Sequence, residues 1–211
     1  MKTEELIGLL ARGAGAAPRG VVARRLGCAM SLGLAAGVGM AFVWPGFIPA
    51  EMYLYPAPWF KLSYATVLAA AALWLASRLA RPGARTEAAA VTTALVVLTA
   101  VMTGLSAWQA TPPEARMGGL LGHSWWDCPW FVLTISLPAL AALLWAMRGL
   151  APTHTRAAGF AAGLLAGAIG AGAYALACTE LAVSFVAAWY TLGMLMTGAL
   201  GALLGPRVLR W

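Results

Sequence analysis

The residues of this chain able to do chemistry come down to two cysteines. Cys128 opens one long apolar run and Cys178 closes the next, so an antiparallel helix pair would bring both to one outer surface although 50 residues separate them. In an oxidising compartment two such thiols form a disulfide when their Cα atoms come within about 4.4–6.8 Å. As thiolates they would instead bind a soft metal ion, with His123, Asp127 or Glu180 as further ligands, because sulfur and imidazole suit such ions. The spacing is not that of a zinc finger, and a buried cysteine is also a good small hydrophobe. Disulfide, metal site and plain packing all stay open from these residues alone. The third cysteine, Cys28, stands at the start of the first apolar run and reads as packing.

Other chemistry is scarce. The chain has no phosphate loop, no paired-histidine haem pattern and no zinc-protease motif. His123, Ser124 and Asp127 are neighbours in sequence, but without the strand–turn–helix context of a nucleophile elbow. No carboxylate, lysine or histidine falls near the middle of an apolar run, which weighs against a proton-coupled pump or an ion transporter. An enzyme is not expected, and no cofactor is required.

The elements that must position the cysteines follow from composition. Of 211 residues, 62% are hydrophobic and 10% charged, whereas a soluble domain carries about a quarter charged residues. Crossing a hydrocarbon core takes about 20 apolar residues, and six stretches qualify: 26–48, 60–79, 88–108, 129–147, 157–178 and 181–204. Lipid satisfies no free backbone group, so these must be helices, and the alternating strands of a barrel are absent. The expectation is an all-α, polytopic bundle of six transmembrane helices, with residues 1–25 as an N-terminal segment and 26–211 as one transmembrane domain. The first span reads as an uncleaved signal anchor.

Orientation follows from the cations. Placing both termini in the cytoplasm puts 12 of 14 basic residues inside and leaves only Lys61 and Arg116 outside. The positive-inside rule favours that topology, in the inner membrane of a bacterium. Arginines beside anionic lipid account for the net charge of +7, so no nucleic-acid partner is needed.

Small residues predict how the spans pack. Gly159, Gly163 and Gly167 recur four apart and continue to Ala171, the first span has Gly33 and Gly37, and the sixth has Gly193, Thr197, Gly201 and Gly205. Such ridges allow close helix contact. Trp44, Tyr53, Tyr55, Trp59, Trp125, Trp126 and Trp130 flank the outer ends of spans and read as an interfacial belt. Pro138 should kink the fourth helix. At the N-terminus, Thr3 can cap a short helix with Glu4 and Glu5 in its first turn. Leu6, Ile7, Leu9 and Leu10 give that helix an apolar side, before Gly13, Gly15 and Pro18 break it. It suits a membrane surface, or a helix-in-groove contact with a cytoplasmic partner.

Several runs resemble one family over essentially the whole chain, most strongly after residue 118. They are Gly122-His-Ser-Trp125-Trp-Asp-Cys128, Leu137-Pro138-Ala139-Leu140, Arg148-Gly-Leu-Ala151-Pro152, Tyr174-Ala-Leu-Ala-Cys178-Thr-Glu180, Trp189-Tyr-Thr-Leu-Gly193 and the closing Gly201-Ala-Leu-Leu-Gly205-Pro-Arg-Val-Leu-Arg-Trp211. With the opening Met1-Lys-Thr-Glu-Glu-Leu-Ile, they are similar to the negative regulator of sigma F (NrsF) family of bacterial membrane proteins. The resemblance implies an anti-sigma factor that holds an extracytoplasmic-function sigma factor inactive on the cytoplasmic side. It also implies paired periplasmic cysteines, here Cys128 and Cys178, that respond to heavy metal or oxidative stress, with Trp125 and Glu180 in the same motifs. One position departs: the family often has histidine immediately before the second cysteine, and here that residue is Ala177. This shifts weight from an adjacent His–Cys metal pair toward thiol oxidation, or toward His123 as the nitrogen donor. A membrane thiol oxidoreductase and a small transporter are the alternatives. Only three cysteines stand against the first, and few polar residues along the spans against the second.

Overall fold

The computed structural model describes residues 3–13, 20–150 and 152–210, and among them every regular element is helical. We label the helices α1 (Thr3–Gly13), α2 (Val21–Val43), α3 (Pro56–Leu79), α4 (Glu87–Ala110), α5 (Pro113–Leu121), α6 (Asp127–Arg148), α7 (Thr155–Ala175) and α8 (Val183–Val208). All except α1 and α5 are long and apolar enough to cross a membrane. The six expected spans are therefore present, with shifted boundaries. α2 starts earlier than expected, directly after Gly20, whose φ of 77° is non-helical. It also ends earlier, because Pro45 and Pro49 supply no backbone N–H to continue it. α5 and a 3₁₀ turn over Ala50–Leu54 have no counterpart in the sequence expectation. α8 contains one π-helical turn, Val186–Tyr190.

α7 is the centre of the bundle, packed against α8, α3, α6 and α2, while α4 lies outside against α3 and α8. The glycine ridge explains this placement. A Cβ at Gly159 would strike the Gly201 carbonyl oxygen, and one at Gly163 the Thr197 carbonyl oxygen. At Gly167 it would lie 2.9 Å from the Met194 Cα. α7 and α8 thus touch backbone to backbone, as small-residue ridges predict. Gly33 of α2 meets Ala139 of α6, and Gly37 faces Ala173 and Ile135, so α2 is antiparallel to α6. α4 presents Val91, Leu95, Leu98 and Met102 outward, the surface expected to meet acyl chains.

These pairings sort the connections to two ends. At one end, Ile48 N–H donates to the Leu176 carbonyl (2.9 Å) and the Trp189 indole to the Leu120 carbonyl (2.8 Å). This thiol end carries Cys128 and Cys178. At the other, Arg25 lies on Gly149, Gly205 lies on Thr155, and Leu79 and Thr86 share a cleft with Ala157. This arginine end gathers Arg24, Arg25, Arg78, Arg81, Arg85, Arg148, Arg156 and Arg207.

Two expectations about cysteines are corrected. Cys28 is exposed rather than packed, because it falls on the open face of α2. Cys178 does not end α7, which stops at Ala175; it lies in the irregular link to α8. The last turn tightens, Leu176 N–H donating to the Ala173 carbonyl and Ala177 N–H to that of Tyr174, and beyond it the Leu176 and Cys178 carbonyls accept from Ile48 and Lys61. In α1, Leu6 and Ile7 are exposed, while the side chains of Leu9 and Leu10, and Gly15 and Pro18 altogether, lie outside the described residues.

The α7–α8 contact has a direct test. Gly163→Ala should lower stability in detergent by about 1–3 kcal/mol, since its methyl meets backbone that cannot rotate away. Gly172→Ala, whose Cβ would sit 3.7 Å from that of Ala65, should leave the thermal midpoint unchanged or slightly raised.

Candidate functional site

The site is assembled from three places in the chain. α3 begins with Pro56, whose missing N–H is no loss at that position, and its second turn carries Lys61 inward. That side chain has no solvent exposure, and its Nζ donates to the Cys178 carbonyl at 2.7 Å. An ammonium has three donors, so this bond leaves two for other groups. Cys128, second residue of α6, is fully buried, and its N–H donates to the Ser124 carbonyl at 2.8 Å. Cys178 is also buried, held by its N–H to the Tyr174 carbonyl at 2.9 Å.

Cys128 lies within electrostatic reach of Cys178, Lys61 and Glu180. Both cysteines are free thiols. They are covered inside the thiol end rather than displayed on its outer surface, because the 176–182 link folds back over the bundle. Aromatic rings form the floor: Phe131 stacks on Tyr174 (5.3 Å between centroids), and Tyr174 packs on Tyr190 (5.7 Å). The Tyr190 hydroxyl is buried beside Cys178 without a well-aligned hydrogen bond.

Glu180 has a separate duty. Its Oε1 accepts from the His123 N–H (2.7 Å), the Ser124 N–H (3.1 Å) and the Ser124 hydroxyl (3.2 Å). Gly122, with φ of 55°, passes so close that a Cβ there would run into the carboxylate. A carboxylate accepting several short bonds fixes geometry strongly. Here it fixes the turn that launches α6, and so the position of Cys128. The link carrying Cys178 and the turn preceding Cys128 are therefore clasped by one side chain.

The sequence candidates separate into two groups. Cys128, Cys178 and Glu180 come together. The imidazole of His123 is fully exposed, with Nδ1 3.8 Å from Glu180 Oε1, and Asp127 is exposed as well. Trp125 covers the rim, packed on Trp126 (5.6 Å) and Trp189 (5.5 Å). Among the described residues, no group of three or more His, Cys, Asp or Glu side chains is arranged to hold a metal. Sequence reasoning missed Lys61, Tyr174 and Tyr190. Lys61 offered a signal: it falls inside the apolar run 60–79 rather than beside it.

Fold and site together define a six-span helical membrane protein whose one buried cation among the described residues is held beside two thiols. No solved structure matches the chain. The family model described as negative regulator of sigma F matches residues 10–211. A probable anti-sigma-F factor NrsF of Azospira oryzae is 42% identical across the full length of both chains. The anti-sigma-F factor NrsF of Caulobacter vibrioides is 36% identical, again across all of both. The chain belongs to the NrsF family.

Removing the clasp should loosen the turn. In Glu180→Ala, amide exchange in a peptide spanning 122–126 should quicken at least about tenfold, which is about 1.4 kcal/mol of lost protection. Lys61→Met removes the countercharge while keeping the stem, and should slow thiol oxidation by diamide about tenfold, within the range of one charge interaction near a protein surface. Counting free thiols with time under denaturing quench reads that rate.

Proposed function

We propose that this protein is a membrane anti-sigma factor of the bacterial inner membrane, acting on an extracytoplasmic-function sigma factor. The carrying observation is similarity at full length to two proteins named as anti-sigma-F factors, with no part of either left uncovered. The role is regulatory, not catalytic. The concentration of arginines at one end supports a cytoplasmic position for that end and for both termini, by the positive-inside rule. The thiol end then faces the periplasm. The sigma factor would dock on α1, whose sequence sets Glu4 and Glu5 beside Leu6, Ile7, Leu9 and Leu10, or on the loops of the arginine end.

The sensing step belongs to Cys128 and Cys178. With hydrogen peroxide as oxidant, the two thiols give up two protons and two electrons, an S–S bond forms, the O–O bond breaks and two waters leave. Alternatively the two sulfurs, deprotonated, hold a soft heavy-metal ion, which supplies a cross-link between the 176–182 link and α6. In either case Lys61 fixes the Cys178 backbone and offsets negative charge arising on sulfur, and the aromatic floor excludes water. His123, Asp127 and Trp125 line the entry.

The change has a route to the far end. Cys128 starts α6 and Cys178 follows α7, and both helices run to the arginine end. α7 and α8 are locked by their glycine contact and move as a pair. Pro138, inside α6, leaves a carbonyl without its helical partner and gives α6 a point at which to bend. Full release requires about 5.5 kcal/mol of preference for the releasing state.

The expected result in cells is repression of a sigma-dependent promoter by the wild-type chain, relieved by heavy metal or oxidant. Cys128→Ser and Cys178→Ser should each keep repression and lose the response. Normal induction in both variants would reject thiol sensing, while failure of any sigma factor to co-purify with the detergent-solubilised chain would reject the anti-sigma role.

A further inference from the structure

At the arginine end, α2 and α6 enclose a cleft of about 550 Å³ whose lining includes Arg24, Arg25 and Arg148 but no carboxylate. Among the described residues none of the three is in salt-bridge reach of an acid. Arg24 and Arg25 are the fourth and fifth residues of α2, close to the helix end where the dipole disfavours cations, so they do not serve the helix that carries them. Arg25 is placed by Gly149, the residue after α6, since a Cβ there would occupy the position of its guanidinium nitrogen. The three charges thus converge, beside the positively polarised N-terminus of α2.

Below them the cleft turns apolar. Leu32 is 67% exposed and Trp145 77% exposed, and both lie on spans, where exposure means contact with lipid. Leu32 is seven residues beyond Arg25, about 10 Å along the helix, the offset between a phosphate and the upper part of its acyl chain. We propose that this cleft binds an anionic phospholipid, its phosphodiester held by Arg24, Arg25 and Arg148 and one acyl chain lying along Leu32, Ala142 and Trp145. A bilayer lipid reaches this wall from the side, whereas a water-soluble protein segment cannot. Charge sets the preference for an anionic headgroup over a zwitterionic one.

Cys28 lines the same cleft and is the exposed cysteine, Cys128 and Cys178 being buried, so its alkylation reports occupancy. The experiment follows maleimide labelling of Cys28 in the full chain in neutral detergent. Phosphatidylglycerol or cardiolipin should protect it saturably, phosphatidylcholine and inorganic phosphate should not, and Arg24→Gln/Arg25→Gln/Arg148→Gln should need at least about tenfold more lipid. Equal protection by phosphatidylcholine, full protection by phosphate alone, or an unshifted titration in the triple variant would overturn the assignment. If the triple variant fails to insert, Gly149→Ala displaces only the end of Arg25 and should weaken protection about fivefold; an unchanged titration there overturns it equally. Protection by the cognate sigma factor but not by anionic lipid would mean the cleft is a protein surface, and would also overturn it.

Discussion

The close approach of α7 and α8 is the constraint from which the rest of the structure follows. Inside a bilayer no hydrophobic force drives helices together, so association rests on van der Waals contact and on the few polar groups available. Gly159, Gly163 and Gly167 meet Gly201, Thr197 and Met194 along the length of both helices. That contact fixes where α7 must end and α8 begin, and it therefore sets the span of the 176–182 link. Cys178 and Glu180 are carried on that link, so the geometry of the thiol pocket is a consequence of packing several turns away.

Polar interactions then act at the thiol end as local fasteners. Lys61 holds the Cys178 carbonyl and Glu180 holds the amides of His123 and Ser124, so each joins segments far apart in the chain. Both groups are buried, where a charge is costly unless it is matched. Among the described residues the molecule accepts that cost at the thiol end. The opposite end is built differently, from exposed arginines that need no internal partner because water and anionic lipid provide one.

The cysteine pair was legible because thiols are rare in this chain and both border apolar runs. The surroundings of the pair were not. Lys61 counted in the sequence only as a cation on the minority side, and Tyr174 and Tyr190 looked like ordinary aromatics of a span. His123 and Asp127, which sequence proximity grouped with Cys128, are exposed: Glu180 takes the backbone N–H of His123, and Asp127 opens α6 on its open side.

The sequence by itself determined six helical spans and the asymmetry of charge between their ends, because a run of apolar residues in lipid has no other way to satisfy its backbone. It also determined the ridge on α7, since four-residue spacing places small residues on one helix face wherever the helix sits. Only the tertiary structure decided which helix that face would meet, that Cys28 would be exposed and the other two cysteines enclosed, and that a lysine of α3 would sit against the link after α7. Those outcomes depend on helix rotation and neighbour choice, which arise from summed contacts between segments distant in the chain and leave no mark in any one of them.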